Sequence, residues 1–287
     1  MNKKLTYGIF VILFLCYWMA YMGNLSHIIA YHEQHHLFLY TQAYFDQQIQ
    51  SEGFFSYLTA FIIQFFYYPW LGSALLAFLL ASVYGMVGNV LRLLFGKEDW
   101  LHLSILPSLL LFYHTMEANH TLVPVTITVL SLCMANLVLW LFRRHMPLIP
   151  ILQNTHIQKK KLRMGLQAFV LLVYAGCGYY HFVNSYNRSE GIMLKAEMNV
   201  KAKDWDKVLE YTKLYLNSGK TNHLIAYFHQ MALYHKGLLP YHLFDYPQLL
   251  GVKAIYFPWN SDSRESEYGH FLYEDLGHIN EAHHHIC

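Results

Sequence analysis

Between Glu52 and Arg92 the chain runs 39 residues without one charged side chain. As a single α-helix this stretch would be about 58 Å long at 1.5 Å per residue, about twice the roughly 30 Å hydrocarbon core of a bilayer. It is too apolar to face water and too long for one crossing, so it belongs in a membrane and has to break. Pro69 supplies the break, because proline lacks a backbone donor and keeps the residue before it out of the helical region. The expectation is an aromatic interfacial helix over 54–68 (FFSYLTAFIIQFFYY) followed by a membrane span over 70–91. A re-entrant hairpin is the alternative.

The rest of the chain fits that class. Apolar residues make up 55% and charged residues 13% of the sequence, far from the roughly 25% charged residues of soluble domains. Residues 5–22 form a first span preceded by Lys3 and Lys4. Tyr21 and Met22 crowd Gly23, the position a signal peptidase would need small, which favours a retained anchor. Uncharged stretches between Asp99, Glu117 and Arg143 predict spans near 101–116 and 120–142 that form a hairpin. A fifth follows near 165–183, with small residues at Ala175, Gly176 and Gly178 where another helix can approach. If the N-terminus is cytoplasmic, ten Lys and Arg (Lys3, Lys4, Arg92, Lys97, Arg143, Arg144, Lys159, Lys160, Lys161, Arg163) fall on inner segments and none on the two outer loops. The fifth span then exports everything after it. Cys16, Cys133 and Cys177 lie in apolar runs and Cys287 ends the sequence, so no disulfide framework is expected. A net charge of +2 without a basic tract excludes a nucleic-acid footprint.

Charge density changes near Asn187: residues 1–187 hold 16 charged side chains and 188–287 hold 22. The fold class expected is all-α, a polytopic helical membrane domain over 1–187 followed by a soluble helical-hairpin domain over 188–287. Ile192, Ala196 and Val200, then Val208, Thr212 and Tyr215, then Leu224, Phe228 and Met231 recur at helical spacing. NVKAKDWDKVLEY, LYHKGLLPYHLF and YEDLGHINEAHHH share a helix–turn–helix pattern, with Lys203 and Lys236 33 apart and Gly237 and Gly277 40 apart. This period resembles the tetratricopeptide repeat, although Thr212 stands where that repeat prefers an aromatic. The resemblance implies a stacked helical surface that binds peptides or partner proteins. The last helix, starting near Asn280, is short for a capping helix, and the expectation is a chain incomplete at its C-terminal end. The segments EQHHLFLY, QFFYYPWLG and LGHINEA resemble an uncharacterised family of multi-pass membrane proteins from Bacteroidota. That resemblance implies a multi-pass bacterial membrane architecture and no assigned chemistry; with the Lys and Arg distribution, the expectation is an inner-membrane protein whose C-terminal domain is periplasmic.

Three functions compete on this sequence. The first is non-catalytic: an anchor in the lipid bilayer presenting a helical-repeat surface to an envelope protein, with no cofactor. The second resembles polytopic glycosyltransferases that use lipid-linked sugars, in which Glu33, Asp46 or Glu52 of the first outer loop acts as general base or holds a divalent metal beside a phosphate. The third follows from His32, Glu33 and His36, which spell the zinc-protease H-E-x-x-H, with His114 or Glu117 as third ligand. Given 19 His in the chain, this spelling arises by composition in about one such sequence in twenty, so the motif alone carries little weight. His283, His284 and His285 are consecutive, and consecutive helical residues point in different directions.

Overall fold

The computed structural model describes residues 3–95, 99, 101–145, 160–185, 188–246, 248, 250–255, 257 and 263–286. Lys97, Lys159, Asn187 and Cys287 lie outside the described residues, as do the side chains of Lys3, Lys4, Arg143, Arg144, Lys160, Lys161, Arg163 and His285. Two compact units, Met1–Asn187 and Arg188–Cys287, make up the chain, and the described residues carry helices and no strand.

The first unit begins with α1 (Lys3–Met22), followed by the shorter α2 (Ser26–His35), α3 (Gln42–Ser51) and α4 (Phe54–Ile63), the last continued by a 3-10 turn over Gln64–Tyr67. Then come α5 (Pro69–Phe95), α6 (Ile105–His114), α7 (Val123–His145) and α8 (Lys160–Ser185). The 39-residue uncharged run breaks at Pro69: Tyr68 is extended (φ −99°, ψ 101°), and the proline occupies the first turn of α5, where its missing N–H costs nothing. Phe66 packs so closely on the start of α5 that a Cβ on Gly72 would lie 2.8 Å from the Phe66 Cα.

Among the described residues four stretches are long and apolar enough to cross a membrane, Leu5–Met22, Pro69–Phe95, Val123–Phe142 and Met164–Asn184. The span expected over 101–116 is different. Its helix α6 has only ten residues, about 15 Å, because Pro107 is accommodated only in a first turn and fixes the start. The preceding turn is organised by Asp99, whose carboxylate oxygens accept the N–H groups of Leu103 (3.0 Å) and Ser104 (2.8 Å).

Side-chain contacts nonetheless carry this segment along the bundle. Ile105 clusters with Ile9 and Tyr84, the Tyr17 hydroxyl donates to Ser108 Oγ (3.0 Å), which donates to the Leu80 carbonyl (2.7 Å), and the Tyr21 hydroxyl meets Thr115 Oγ1 (2.5 Å). The segment 101–115 therefore runs parallel to α1. On α8, Leu171 and Tyr174 pack at the Ile9 level, while the Tyr113 hydroxyl donates to the Gly178 carbonyl (3.0 Å) and Phe182 stacks on Phe112. α8 is thus parallel to α1 as well. α5 and α7 run the other way, joined by the Asn89 amide donating to Asn136 Oδ1 (2.7 Å). These interhelical polar contacts are what holds helices together where apolar burial gives no preference over lipid.

In the second unit α9 (Arg188–Lys201) and α10 (Trp205–Leu216), α11 (His223–His235) and α12 (Leu239–His242), and α13 (Ser263–Asp275) and α14 (Ile279–Ile286) form three helical hairpins. Each turn is the same motif. A residue in the left-handed region, Lys203 (φ 56°), Gly237 (φ 67°) or Gly277 (φ 77°), donates its N–H three residues back, and the next N–H bonds five residues back, Asp204 to Asn199, Leu238 to Leu233 and His278 to Tyr273. This is the Schellman closure, repeated at intervals of 34 and 40 residues. Ala196, Val200, Val208, Ile225, Phe228, Met231 and Tyr268 build one core beneath the hairpins. Thr212 is fully buried, and its hydroxyl bonds the Val208 carbonyl (2.8 Å) and His229 Nδ1 (2.9 Å), so a polar pair sits inside the core at this position.

Candidate functional site

The helices α2, α3 and α4 gather at the end of the bundle where α1 finishes and α7 begins. α2 buries His27, Ile28, Ile29 and His32 and is tied to the turn before α7 by the Tyr31 hydroxyl on Asn119 Oδ1 (3.2 Å). Thr41 caps α3 by accepting the Tyr44 N–H (3.3 Å). Gly53, at φ 90°, turns the chain from α3 into α4, and the Thr59 and Thr126 hydroxyls bond at 2.8 Å, fixing α4 on α7. An aromatic cluster of Phe38, Tyr40, Tyr44, Phe45, Tyr57 and Phe61 fills the space between α3 and α4.

These elements enclose a cleft of about 370 Å³ whose polar lining is His35, His36, Tyr44, Gln48, Glu52, Ser56, Thr59 and Thr121. Glu52 is its one carboxylate. Glu52 Oε2 accepts hydrogen bonds from Gln48 Nε2 and Ser56 Oγ, both at 2.8 Å, which leaves the other oxygen without either bond. α2 stops at His35, and His36 is extended (φ −128°, ψ 115°). His35 Nδ1 and His36 Nδ1 meet the carbonyls of Tyr31 (2.8 Å) and His32 (2.9 Å), so both rings carry their proton on Nδ1 and present Nε2 as an acceptor. Burial, and then the Glu52 carboxylate, push the Tyr44 phenol above its ordinary range. Its hydroxyl donates to the Leu37 carbonyl (2.8 Å). The cleft is therefore rich in acceptors, suited to hydroxyl groups or a cation.

The sequence candidates separate here. Glu52 and His36 line the cleft; Glu33 is half-buried on α2 outside its lining, and Asp46 is exposed and bonded by Gln42 Nε2 (3.0 Å). His32 is 1% exposed, with neither ring nitrogen partnered among the described residues, and burial, then His36 and His35, lower its pKa to about 3. Glu117 pairs with His120 (3.2 Å), which stacks on His114. Among the described residues no three His, Cys, Asp or Glu side chains come together to hold a metal. The spelling H-E-x-x-H needs a continuing helix to aim both imidazoles alike, and α2 ends inside it. Sequence reasoning missed His35, Tyr44, Gln48 and Ser56. Their signal was the four-residue step Tyr44, Gln48, Glu52, Ser56, which stacks polar groups along one helical face.

Residues 2–180 and 140–286 match the family of unknown function DUF6057. The chain belongs to DUF6057. No curated protein and no solved structure matches. The DUF6057 match covers both the unit that holds the cleft and the unit of three hairpins.

Proposed function

We propose that this protein is an integral membrane protein of the bacterial cell envelope that presents its second unit, a tetratricopeptide-like stack, on the outer side of the inner membrane to a partner protein. The observation that carries this reading is the threefold Schellman closure at intervals of 34 and 40 residues, since a repeated hairpin over one core makes an extended surface rather than an enclosed site. Large apolar side chains stand out from its second hairpin and the following turn, with Tyr241 79%, Phe244 82% and Val252 70% exposed, the aromatic content that partner contacts favour. A photo-crosslinking residue at Phe244 in growing cells gives a discrete protein adduct, which Tyr241→Asp abolishes. Adducts no more frequent than at Lys213, on the exposed face of α10, sink the reading.

A specific observation also favours a second reading. Glu52, oriented by Gln48 and Ser56 in a cleft with His36, has the placement of a general base for a hydroxyl acceptor at the membrane edge, as in enzymes that use lipid-linked sugars. Glu52, His35 and His36 are the carboxylate and imidazole side chains of this lining, each with an electron pair to offer a divalent metal. On this reading Glu52→Gln removes cellular function with normal membrane insertion, while Glu33→Gln and Asp46→Asn retain it. A functional Glu52→Gln protein leaves the cleft without a catalytic role.

A further inference from the structure

At the opposite end of the bundle, α1, α5 and the turn before α6 enclose a second polar cavity of about 260 Å³, lined by Tyr84, Asn89, Arg92, Asp99, His102 and Ser104 among others; Asp99 is the one carboxylate of this lining, and its two oxygens are taken up by the Leu103 and Ser104 N–H groups. It exists because α5 carries glycines where it passes the turn. A Cβ on Gly85 would meet nothing within 4 Å, and one on Gly88 would meet Ser104 Oγ at 3.5 Å. His102 is 1% exposed and sits at φ 52°, a conformation that side-chain-bearing residues avoid unless the surroundings hold them there. Here the Asp99 bonds to Leu103 and Ser104 hold it. His102 Nδ1 is bonded to the Tyr84 hydroxyl (3.1 Å), and among the described residues Nε2 has no partner. A strained, buried imidazole with one unpartnered nitrogen in the wall of a cavity is the mark of a site that a ligand completes.

An apolar crevice of about 490 Å³ adjoins it between α1, α6 and α8, with Leu13, Leu109, Leu171 and Phe182 in its walls. The buried cluster of Ile9, Tyr84 and Ile105 is the partition, since Tyr84 lines the polar cavity and the two isoleucines line the crevice. Along α1 the face formed by Thr6, Ile9 and Leu13 passes from one to the other.

We propose that the two cavities form one binding site for an anionic phospholipid, with its phosphate at Arg92 and His102 and an acyl chain in the crevice. Arg92 supplies the cation that a phosphate oxygen pairs with. A ligand made of acceptors requires His102 to donate from Nε2, which in turn makes Tyr84 the donor to Nδ1. The crevice selects a lipid over a soluble phosphate ester, which would leave it unfilled. Anionic headgroups also concentrate at the membrane face that carries the basic residues. The site is independent of the Glu52 cleft and of the partner surface.

The test is the thermal midpoint of the full chain in detergent with added phosphatidylglycerol, phosphatidylcholine or inorganic phosphate. Phosphatidylglycerol alone is expected to raise it. Arg92→Gln, at an exposed position where folding is not at risk, weakens the response about tenfold or more, the scale of one charge-assisted hydrogen bond. Gly85→Leu, which fills the cavity, abolishes it, and Glu52→Gln leaves it intact. An equal response to phosphatidylcholine that Arg92→Gln does not alter would mean general solvation of the bundle by lipid and overturn the site. A full response to inorganic phosphate would overturn the lipid as its ligand.

Discussion

His229 shows how a single buried group sets a condition on the second unit. Its Nδ1 donates to Thr212 Oγ1 (2.9 Å), because the Thr212 hydroxyl proton is already given to the Val208 carbonyl. The ring also meets Tyr246 edge-on. Burial first, then Lys213, lowers its pKa from 6.5 to about 4, with Asp245 opposing. A histidine whose folded pKa is depressed binds fewer protons folded than unfolded, so stability rises with pH through this window. Full stability is therefore present above pH 6.5 and is lost progressively as pH falls towards 4, by about 3 kcal/mol at one pKa unit per 1.36 kcal/mol. The thermal midpoint of the second unit's transition should fall over that range in the wild type, and His229→Gln should flatten the dependence. An unchanged slope in the variant would place the acid sensitivity elsewhere.

At the level of elements, the three hairpin turns make the same backbone demand with different residues. Gly237 and Gly277 meet it freely, whereas Lys203 meets it with a β-carbon already in place. Gly237→Ala and Gly277→Ala should each cost about 1 kcal/mol, the left-handed penalty less the entropy gained, while Lys203→Ala stays near neutral. Equal losses at all three positions in thermal unfolding would mean the turns do not share one conformation. These turns were legible in the sequence, because Gly ends helices for a local reason; the register that relates Lys203 to Gly237, rather than to Lys236, was not, because it depends on which residue takes the positive φ. Pro69 was legible for the same local reason. The third apolar stretch was not: its hydropathy signals a continuous span, but Pro107 and the Asp99 cap delay α6 to Ile105. The cleft was half legible. Carboxylates in the first outer loop pointed to Glu52, yet only the packing of α3 on α4 separates it from Glu33 and Asp46.

For the molecule as a whole, the decisive question is whether a ten-residue helix completes a crossing. Four long apolar stretches alone would return the chain to the side where it began. The contacts of Ile105 with Ile9, Ser108 with Tyr17 and Thr115 with Tyr21 instead carry the chain from one end of α1 to the other, so that five segments alternate in direction along the bundle, which predicts five passes. On the positive-inside rule, the ten-to-none distribution of Lys and Arg together with five passes predicts a cytoplasmic N-terminus and a second unit outside. Single cysteines in a background with Cys16, Cys133, Cys177 and Cys287 replaced by serine test both steps at once. In intact cells stripped of their outer membrane barrier, an impermeant maleimide should label Ser51→Cys, Asn119→Cys and Lys236→Cys, and reach Phe95→Cys only after lysis. Labelling of Phe95→Cys alone would invert the orientation. If Ser51→Cys were labelled while Asn119→Cys and Lys236→Cys were protected, α6 would fail to cross, and the surface proposed to meet an envelope partner would lie in the cytoplasm.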